Sequence, residues 1–416
     1  MKSFGVGGGL YARHRLDLMP GEVFYGLRSC YEPFPRELLE KEILDLCSAE
    51  DDGLVCFSVR SGWDLWLGAR GLRAGEEVIV SAVTHPDMVR IVRGHGLRAV
   101  PVDIDPATLA PRRSALEAAL TPRTRVLLVA HLFGGRVDLG PVAGFAREHG
   151  LSLVEDCAQA FRGPGSVGDP AADVSMYSFG TLKTSTALGG AVLRVRDREV
   201  LCRMRQTQDG YPVQRRSPYV KKLLAALGLL TCSHPRPYGL LVRSCAWLGV
   251  DPDGLISGAV RAFPPGELDR QFFRRLRQRP CAPLLAMLSR RLRTFDRERL
   301  ALRAAAGEKF ARKLRIIQVH PGARSLRRTH WLFPVVVPDP GSLIEALRKR
   351  GLDASRATSN IAVVGATAGH SPPARADLMM SGIVFLPVYP DLPSHALDAM
   401  ADLVNKRTVV EEVAFS

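Results

Sequence analysis

The sequence predicts an α/β protein with a large domain on a mainly parallel sheet and a smaller C-terminal α/β domain. Two observations predict it. Between Glu77 and Arg196, short apolar runs rich in β-branched residues alternate with amphipathic helical stretches. From Trp331 the same alternation resumes, after a long basic interval that reads as helical. Apolar runs without polar alternation belong to strands buried on both faces, the condition of a parallel sheet covered by crossover helices. A length of 416 residues leaves room for two or three domains.

The elements follow in order. A short apolar run, Leu54–Phe57, leads into a helix opened by Arg60-Ser61-Gly62-Trp63. Strands are expected at Val78–Val83, Ala99–Ile104, Val126–Ala130, Leu151–Val154, Val174–Phe179 and Ala191–Val195. Helices are expected at Pro86–Gly96, Arg112–Leu120 and Leu139–His149. Gly96 and Gly150 stop two of them, since glycine reaches positive φ without steric cost. Tyr211–Pro265 breaks the rhythm with KKLLAALGLL, a Pro/His turn and YGLLVRSCAWLG, which reads as a pair of amphipathic helices. Leu268–Leu314 reads as basic and helical, interrupted at Pro280 and Pro283. LFPVVV, SLIEALRKRG, IVFLPVYP and HALDAMADLVNKR then supply the small domain. The expected division is 1–210 (large domain with an N-terminal segment), 211–265 (basic insertion), 266–330 (helical connector) and 331–416 (small domain).

Composition narrows the function classes. Hydrophobic residues at 46% and charged residues at 24% exclude a disordered chain. Eight scattered cysteines without a CxxC pair exclude a zinc ribbon, and the histidines show no ligand spacing, so no metal is expected. The first twenty residues lack the apolar core of a secretory leader, so reduced thiols and a cytoplasmic setting are expected. No apolar run approaches the ~18–20 residues that span a bilayer. GVGGGL near the N-terminus has no preceding strand and is not a dinucleotide fingerprint.

Charge is concentrated. Tyr211–His330 holds 25 Lys plus Arg against 7 Asp plus Glu, an excess larger than the whole chain's +15, so the remainder is slightly acidic. Three readings stay open: arginine stems covering apolar surface, contact with an anionic membrane surface, or a surface for a phosphorylated substrate. No nucleic-acid-binding motif accompanies the charge, so no nucleic-acid partner is expected.

Four features stand at or near expected strand ends. Arg60-Ser61-Gly62-Trp63 opens a helix and offers hydroxyl and N–H groups to a phosphate; alone it equally reads as an N-cap. Thr84-His85-Pro86-Asp87 places an imidazole where it could stack on a flat ring, or where it merely starts a helix. Leu153-Val154-Glu155-Asp156-Cys157-Ala158-Gln159 delivers carboxylates at the mouth of the sheet, which are costly there without a partner. Ser178-Phe179-Gly180-Thr181-Leu182-Lys183 presents a lysine in a chain that strongly prefers arginine; lysine, unlike arginine, becomes a nucleophilic amine when desolvated. Together they match what pyridoxal 5'-phosphate requires: a Schiff-base lysine, an acid for the pyridine nitrogen, a phosphate cradle and a stacking group.

At this point the chain resembles the fold-type I pyridoxal-phosphate enzymes, specifically the nucleotide-sugar aminotransferases that aminate keto sugars. The stretches AGEEVIVSAVTHPD, AVPVDIDPATLAP, LTPRTRVLLVAHLFGGRVDLGPVAGFAREHGLSLVEDCAQAF, GDPAADVSMYSF and FLPVYPDLPSHALDAM carry the resemblance, densely over Gly53–Arg196 and thinly over Trp331–Asn405. It implies an aspartate-aminotransferase-like fold, Lys183 as the Schiff-base lysine and Asp156 at the pyridinium nitrogen. It also implies Gln159 near the phenolic oxygen, His85 stacked on the ring and Ser178 on the phosphate, with Ser61, Gly62 and the Trp63 N–H completing the cradle. A homodimer follows from the same resemblance. So does transfer of an amino group from an amino-acid donor, with glutamate first, to a keto or aldehyde acceptor. Elimination or dehydration on this scaffold, and a non-catalytic membrane- or partner-binding protein, are the alternatives. Several departures concern the substrate side. Gly135-Arg136 replaces an expected Gln, an Asn-Tyr-Arg segment has only Leu268-Asp269-Arg270-Gln271-Phe272-Phe273 near its place, and a His-Tyr-Pro-like loop is replaced by Ser355-Arg356-Ala357-Thr358-Ser359-Asn360. These departures leave the identity of the acceptor open.

Overall fold

The computed structural model describes residues 9–49, 51–166, 168–251, 254, 270–315, 320–356 and 360–407. Most of the N-terminal glycine run, the end of the 211–265 insertion, Leu268-Asp269 and Ala357–Ser359 lie outside the described residues.

Two N-terminal helices, α1 (Pro20–Ser29) and α2 (Arg36–Leu46), precede the sheet. The chain then runs β1 (Gly53–Cys56), α3 (Val59–Arg70), β2 (Glu77–Ser81), β3 (Val83–Thr84), α4 (Pro86–Gly94), β4 (Arg98–Val102), α5 (Arg113–Ala119) and β5 (Thr124–Ala130). It continues through α6 (Gly140–Glu148), β6 (Ser152–Asp156), β7 (Val174–Ser178) and β8 (Ala191–Val195). The seven-stranded sheet has the order β1-β8-β7-β6-β5-β2-β4. β4, β2, β5, β6 and β7 are parallel, and β8 lies antiparallel between β7 and β1. β1 therefore runs with the parallel set, and its carboxyl end opens on the same edge as theirs.

Both faces are covered, as the unbroken apolar runs require. In β2, Ile79 packs into one core cluster while Val78 and Val80 pack into the other. In β5, Leu127 and Val129 face one way, Val126 and Leu128 the other. The run expected at Val78–Val83 divides at Ala82. Its last residue, Val83, forms β3 with Thr84, which leaves the main sheet and pairs with β10 (Ala362–Val363). Hydrophobic period alone cannot signal a two-residue pairing of this kind.

Helix α7 (Arg198–Asp209) covers α3, and α8 (Arg216–Cys232) and α9 (Pro235–Trp247) follow. The basic interval contains α10 (Arg270–Leu276), α11 (Ala282–Arg293) and α12 (Arg297–Ala311), with the expected break before the second. α11 is a core helix rather than a solvated one: Leu284, Leu285, Met287 and Leu288 are fully buried against α1 and α2. In the small domain, β9 (Phe333–Val336) pairs antiparallel with β11 (Ile383–Leu386). α13 (Pro340–Lys349) and α15 (Ser394–Arg407) pack together there, while α14 (Ala374–Ser381) lies on β10.

Candidate active site

The carboxyl ends of the parallel strands share one edge of the sheet, where doubly wound α/β proteins place their ligands. Asp156 is the last residue of β6 and is buried. Its Oδ1 accepts from the Ala158 N–H at 2.9 Å. Burial pushes the carboxyl pKa up, against the opposing pull of that N–H and of the Lys183 charge.

Lys183 sits in the turn after β7, its N–H donating to the Gly180 carbonyl at 2.9 Å. Its amine lies 4.5 Å from the Trp331 ring centroid. Desolvation lowers its pKa to about 8; Asp156 opposes the shift and the Arg60 charge adds to it. Burial thus raises the neutral fraction of both acid and amine, while their mutual attraction across the edge works in the opposite direction, toward the charged forms.

His85 is the N-cap of α4, and its Nδ1 accepts from the Asp87 N–H at 3.1 Å. Burial, with Arg60 beside it, lowers its pKa to about 4, so the ring is neutral near pH 7. Gln159 is buried, its Oε1 accepting from the Phe133 N–H at 2.8 Å. Ser178 ends β7, with Oγ at 3.4 Å from the Gly180 N–H.

The expected cradle at Ser61, Gly62 and Trp63 has a different geometry. Ser58 is the N-cap of α3, and its Oγ accepts from the Ser61 N–H at 3.2 Å. The Ser61 hydroxyl donates to the Leu276 carbonyl at 2.8 Å, and the Gly62 N–H to the Ser58 carbonyl at 3.0 Å. Trp63 lies a turn inside the helix, where main-chain N–H groups bond internally. Its ring stacks on Trp66 at 5.4 Å, and its Nε1–H donates to the Met88 carbonyl. The helix begins earlier than the Ser-Gly pair suggests, so these three groups are engaged within the fold.

Two cations to which the sequence assigned no role at the site stand nearby instead. Arg60, in the first turn of α3, donates to Asp87 at 2.7 Å and acts electrostatically on Lys183, His85 and Lys222. Lys222 reaches in from α8; its amine donates to the Leu188 carbonyl at 3.3 Å and lies 5.9 Å from the Phe57 ring. Phe57 precedes the α3 N-cap, and its carbonyl accepts from the Gly190 N–H, next to Ala191, which pairs with Ser178. Burial and Arg60 lower the Lys222 pKa. Among the described residues no carboxylate lies within ion-pair distance of Lys222. A buried ammonium so placed favours an anionic occupant. Arg60 was legible as a cation at a helix start; Lys222 carried no signal, because its helix lies outside the sheet pattern.

Behind Asp156, the neighbouring Glu155 points to the opposite side of β6. It accepts from His131 Nε2 at 2.9 Å, Arg136 Nη2 at 2.8 Å, the Asp169 N–H at 2.6 Å and the Ser175 hydroxyl at 2.6 Å. These donors hold its pKa down to about 2 despite burial. Cys157 lies close to Glu155 and His131, but the carboxylate oxygens are already occupied by those donors, Arg136 among them. The cluster therefore serves to fix β6 in place. Trp331, also missed, anchors the small domain to the lysine turn by donating from Nε1 to the Leu182 carbonyl at 2.8 Å.

An amine and an acid on one strand edge, a neutral imidazole and two cations around them form a donor set suited to a planar aldehyde bearing a phosphate. Residues 36–228 match the DegT/DnrJ/EryC1/StrS aminotransferase family. Over 172 residues the chain is 34% identical to GDP-perosamine synthase of Caulobacter vibrioides, covering 40% of this chain and 45% of that protein. Over 155 residues it is 37% identical to L-glutamine:scyllo-inosose aminotransferase of Streptomyces griseus, covering 36% of each. The matched region thus spans less than half the length of these relatives. In fold, the chain is similar to NtdA from Bacillus subtilis, solved with bound PMP, with a TM-score of 0.63 at 17% identity over 93% of this chain and 82% of that one. The likeness establishes the fold-type I architecture across nearly the whole chain.

Proposed function

We propose that the chain is a pyridoxal-phosphate-dependent aminotransferase that moves an amino group from an amino-acid donor to a keto or aldehyde acceptor. The observation that carries this reading is the Lys183–Asp156 pair at the carboxyl edge of the sheet, with the amine pKa lowered to about 8. When bound, pyridoxal phosphate supplies an aldehyde that accepts an amino group and a ring that draws electrons from the carbon bearing it. Lys183 would attach the cofactor covalently and, once displaced by the donor, carry a proton between carbon atoms; desolvation gives it the neutral fraction both roles need. Asp156 would keep the proton on the ring nitrogen. His85, neutral and held as a helix cap, would pack on the ring face, and Gln159 would donate to the phenolic oxygen. Ser178, Arg60 and Lys222 would hold the phosphate, in place of a cradle built on Ser61, Gly62 and Trp63.

Incubation with glutamate tests the reading. Conversion of the bound cofactor from its aldehyde to its amine form, followed by absorbance, is expected; retention of the aldehyde spectrum with every amino-acid donor would refute the aminotransferase reading.

The reading extends to a cytoplasmic homodimer with the four-part chain division given above. It also extends to peripheral contact between 211–330 and an anionic membrane surface. Residues 211–250 support that contact with five basic side chains besides Lys222 and no acidic one. Leu240, Trp247 and Leu248 on α9 and its end support it further, at 61%, 85% and 64% exposure. No helix among the described residues is long and apolar enough to cross a membrane.

A further inference from the structure

A cavity beside the lysine turn has Trp331 and Thr184 in its wall. It measures about 260 Å³ and lies between the N-terminal segment, α12 and the β9–β11 pair. Arg13, Arg15, Arg299 and Arg303 all line it. Three of them have carboxylate partners: Arg13 with Asp353 at 2.7 Å, Arg15 with Asp391 at 2.9 Å and Arg299 with Asp17 at 2.9 Å.

Arg303 differs. Its guanidinium donates to the Thr329 carbonyl at 3.1 Å and to the Thr184 hydroxyl at 3.0 Å, both neutral. Among the described residues no carboxylate lies within ion-pair distance of it. Burial lowers its pKa only to about 10, so it remains charged at neutral pH. Asp17, which also lines the cavity and is paired with Arg299, acts on it electrostatically from beyond ion-pair distance. A buried cation whose hydrogen-bond partners are all neutral favours a further anion beside it. Two more polar atoms in the same walls lack partners. The Arg15 Nε is buried without a hydrogen bond. The Tyr389 hydroxyl is buried and makes no well-formed one, with the Arg15 guanidinium stacked 4.4 Å over its ring. Such donors ask for an acceptor.

We infer that this cavity binds the oxyanion of a small substrate, a carboxylate or a phosphate monoester, through Arg303, Arg15 and Tyr389. The volume falls below the ~300–1,000 Å³ of pockets that enclose drug-sized ligands, which suits a keto acid or a sugar phosphate as the enclosed group. The position ties the chamber to the reaction proposed above. Trp331 is a shared wall, 4.5 Å from the Lys183 amine, and Thr184, which accepts from Arg303, is the next residue in the chain. The catalytic meaning of this inference rests on the aminotransferase reading; the binding itself does not.

Isothermal titration calorimetry on the chain saturated with pyridoxal phosphate tests it, with glutarate, inorganic phosphate, uridine diphosphate and glycerol as probes. Saturable binding of glutarate or phosphate is expected, weakened about ten-fold or more in R15Q and Y389F, two changes that should leave the fold intact. Glutarate alone binding identifies a carboxylate substrate, and phosphate alone a phosphate monoester; either supports the inference. No saturable binding, binding unchanged in both variants, or uridine diphosphate binding more tightly than both small anions overturns it. If the chain takes up no cofactor, the aminotransferase reading fails separately. The same titration on the unloaded chain then still decides the cavity, because R15Q and Y389F report on that site and not on the cations around Lys222.

Discussion

Lys183 illustrates how much one residue reveals and how much it hides. Its rarity in an arginine-rich chain and its glycine-flanked loop were visible in the sequence. Its amine's environment was not, because Trp331 stands 148 positions away and Arg60 lies on α3, far back in the chain. Ser61, Gly62 and Trp63 show the opposite case. A Ser-Gly pair before an amphipathic stretch suggests a phosphate cradle, yet Ser58 caps the helix three residues earlier and leaves Ser61 bonded to Leu276. One-turn errors of this kind follow from the poor definition of helix starts by sequence, since several adjacent small polar residues can all cap. A measurement at this scale separates the two cradles. R60M and K222M should each weaken pyridoxal phosphate binding about ten-fold or more while leaving the binding of unphosphorylated pyridoxal nearly unchanged. Equal loss for both ligands would assign the two cations a structural role instead.

At the scale of elements, the strands of the sheet were legible because burial on both faces leaves continuous apolar runs, and the intervening helices because glycine and proline mark their ends. β3 was not, since its pairing with β10 joins residues nearly 280 positions apart. The burial of α11 was not legible either, since the sequence reads it only as part of a basic helical interval. Its arginines cluster in the last turn, while the rest of the helix is buried. The contact of α3 with β8 carries a further expectation. A Cβ on Gly62 would stand 2.5 Å from both methyl groups of Leu193, which is itself fully buried and cannot yield. G62A should therefore destabilise the chain by about 1–3 kcal/mol, read as a lower urea midpoint. An unchanged midpoint would show that the helix can shift away from the sheet.

For the whole molecule, the basic excess divides in two. Within 270–330 much of it is matched by acids elsewhere: Arg277 with Asp64, Arg291 with Asp17 and Glu22, Arg293 with Glu42, and Lys313 with Asp398. These pairs bind the connector to the rest of the chain, an outcome that charge counting cannot foresee. In α8 and α9 the excess has a different setting, since no acidic residue occurs from 211 to 250 and the exposed apolar side chains of α9 and its end accompany it. The protein should pellet with anionic vesicles at low salt and release as salt rises, with W247A weakening the association. Failure to pellet at low salt would remove the membrane reading and leave the catalytic one untouched.

The central claim is that the amine at position 183 carries the cofactor against the acid at 156. Borohydride treatment of the pyridoxal-phosphate-loaded chain, followed by peptide mass mapping, tests it most directly. The account predicts the fixed cofactor on the peptide containing Lys183 and its disappearance in K183A. Cofactor fixed to a different lysine, or to none in a chain that folds normally, would contradict it.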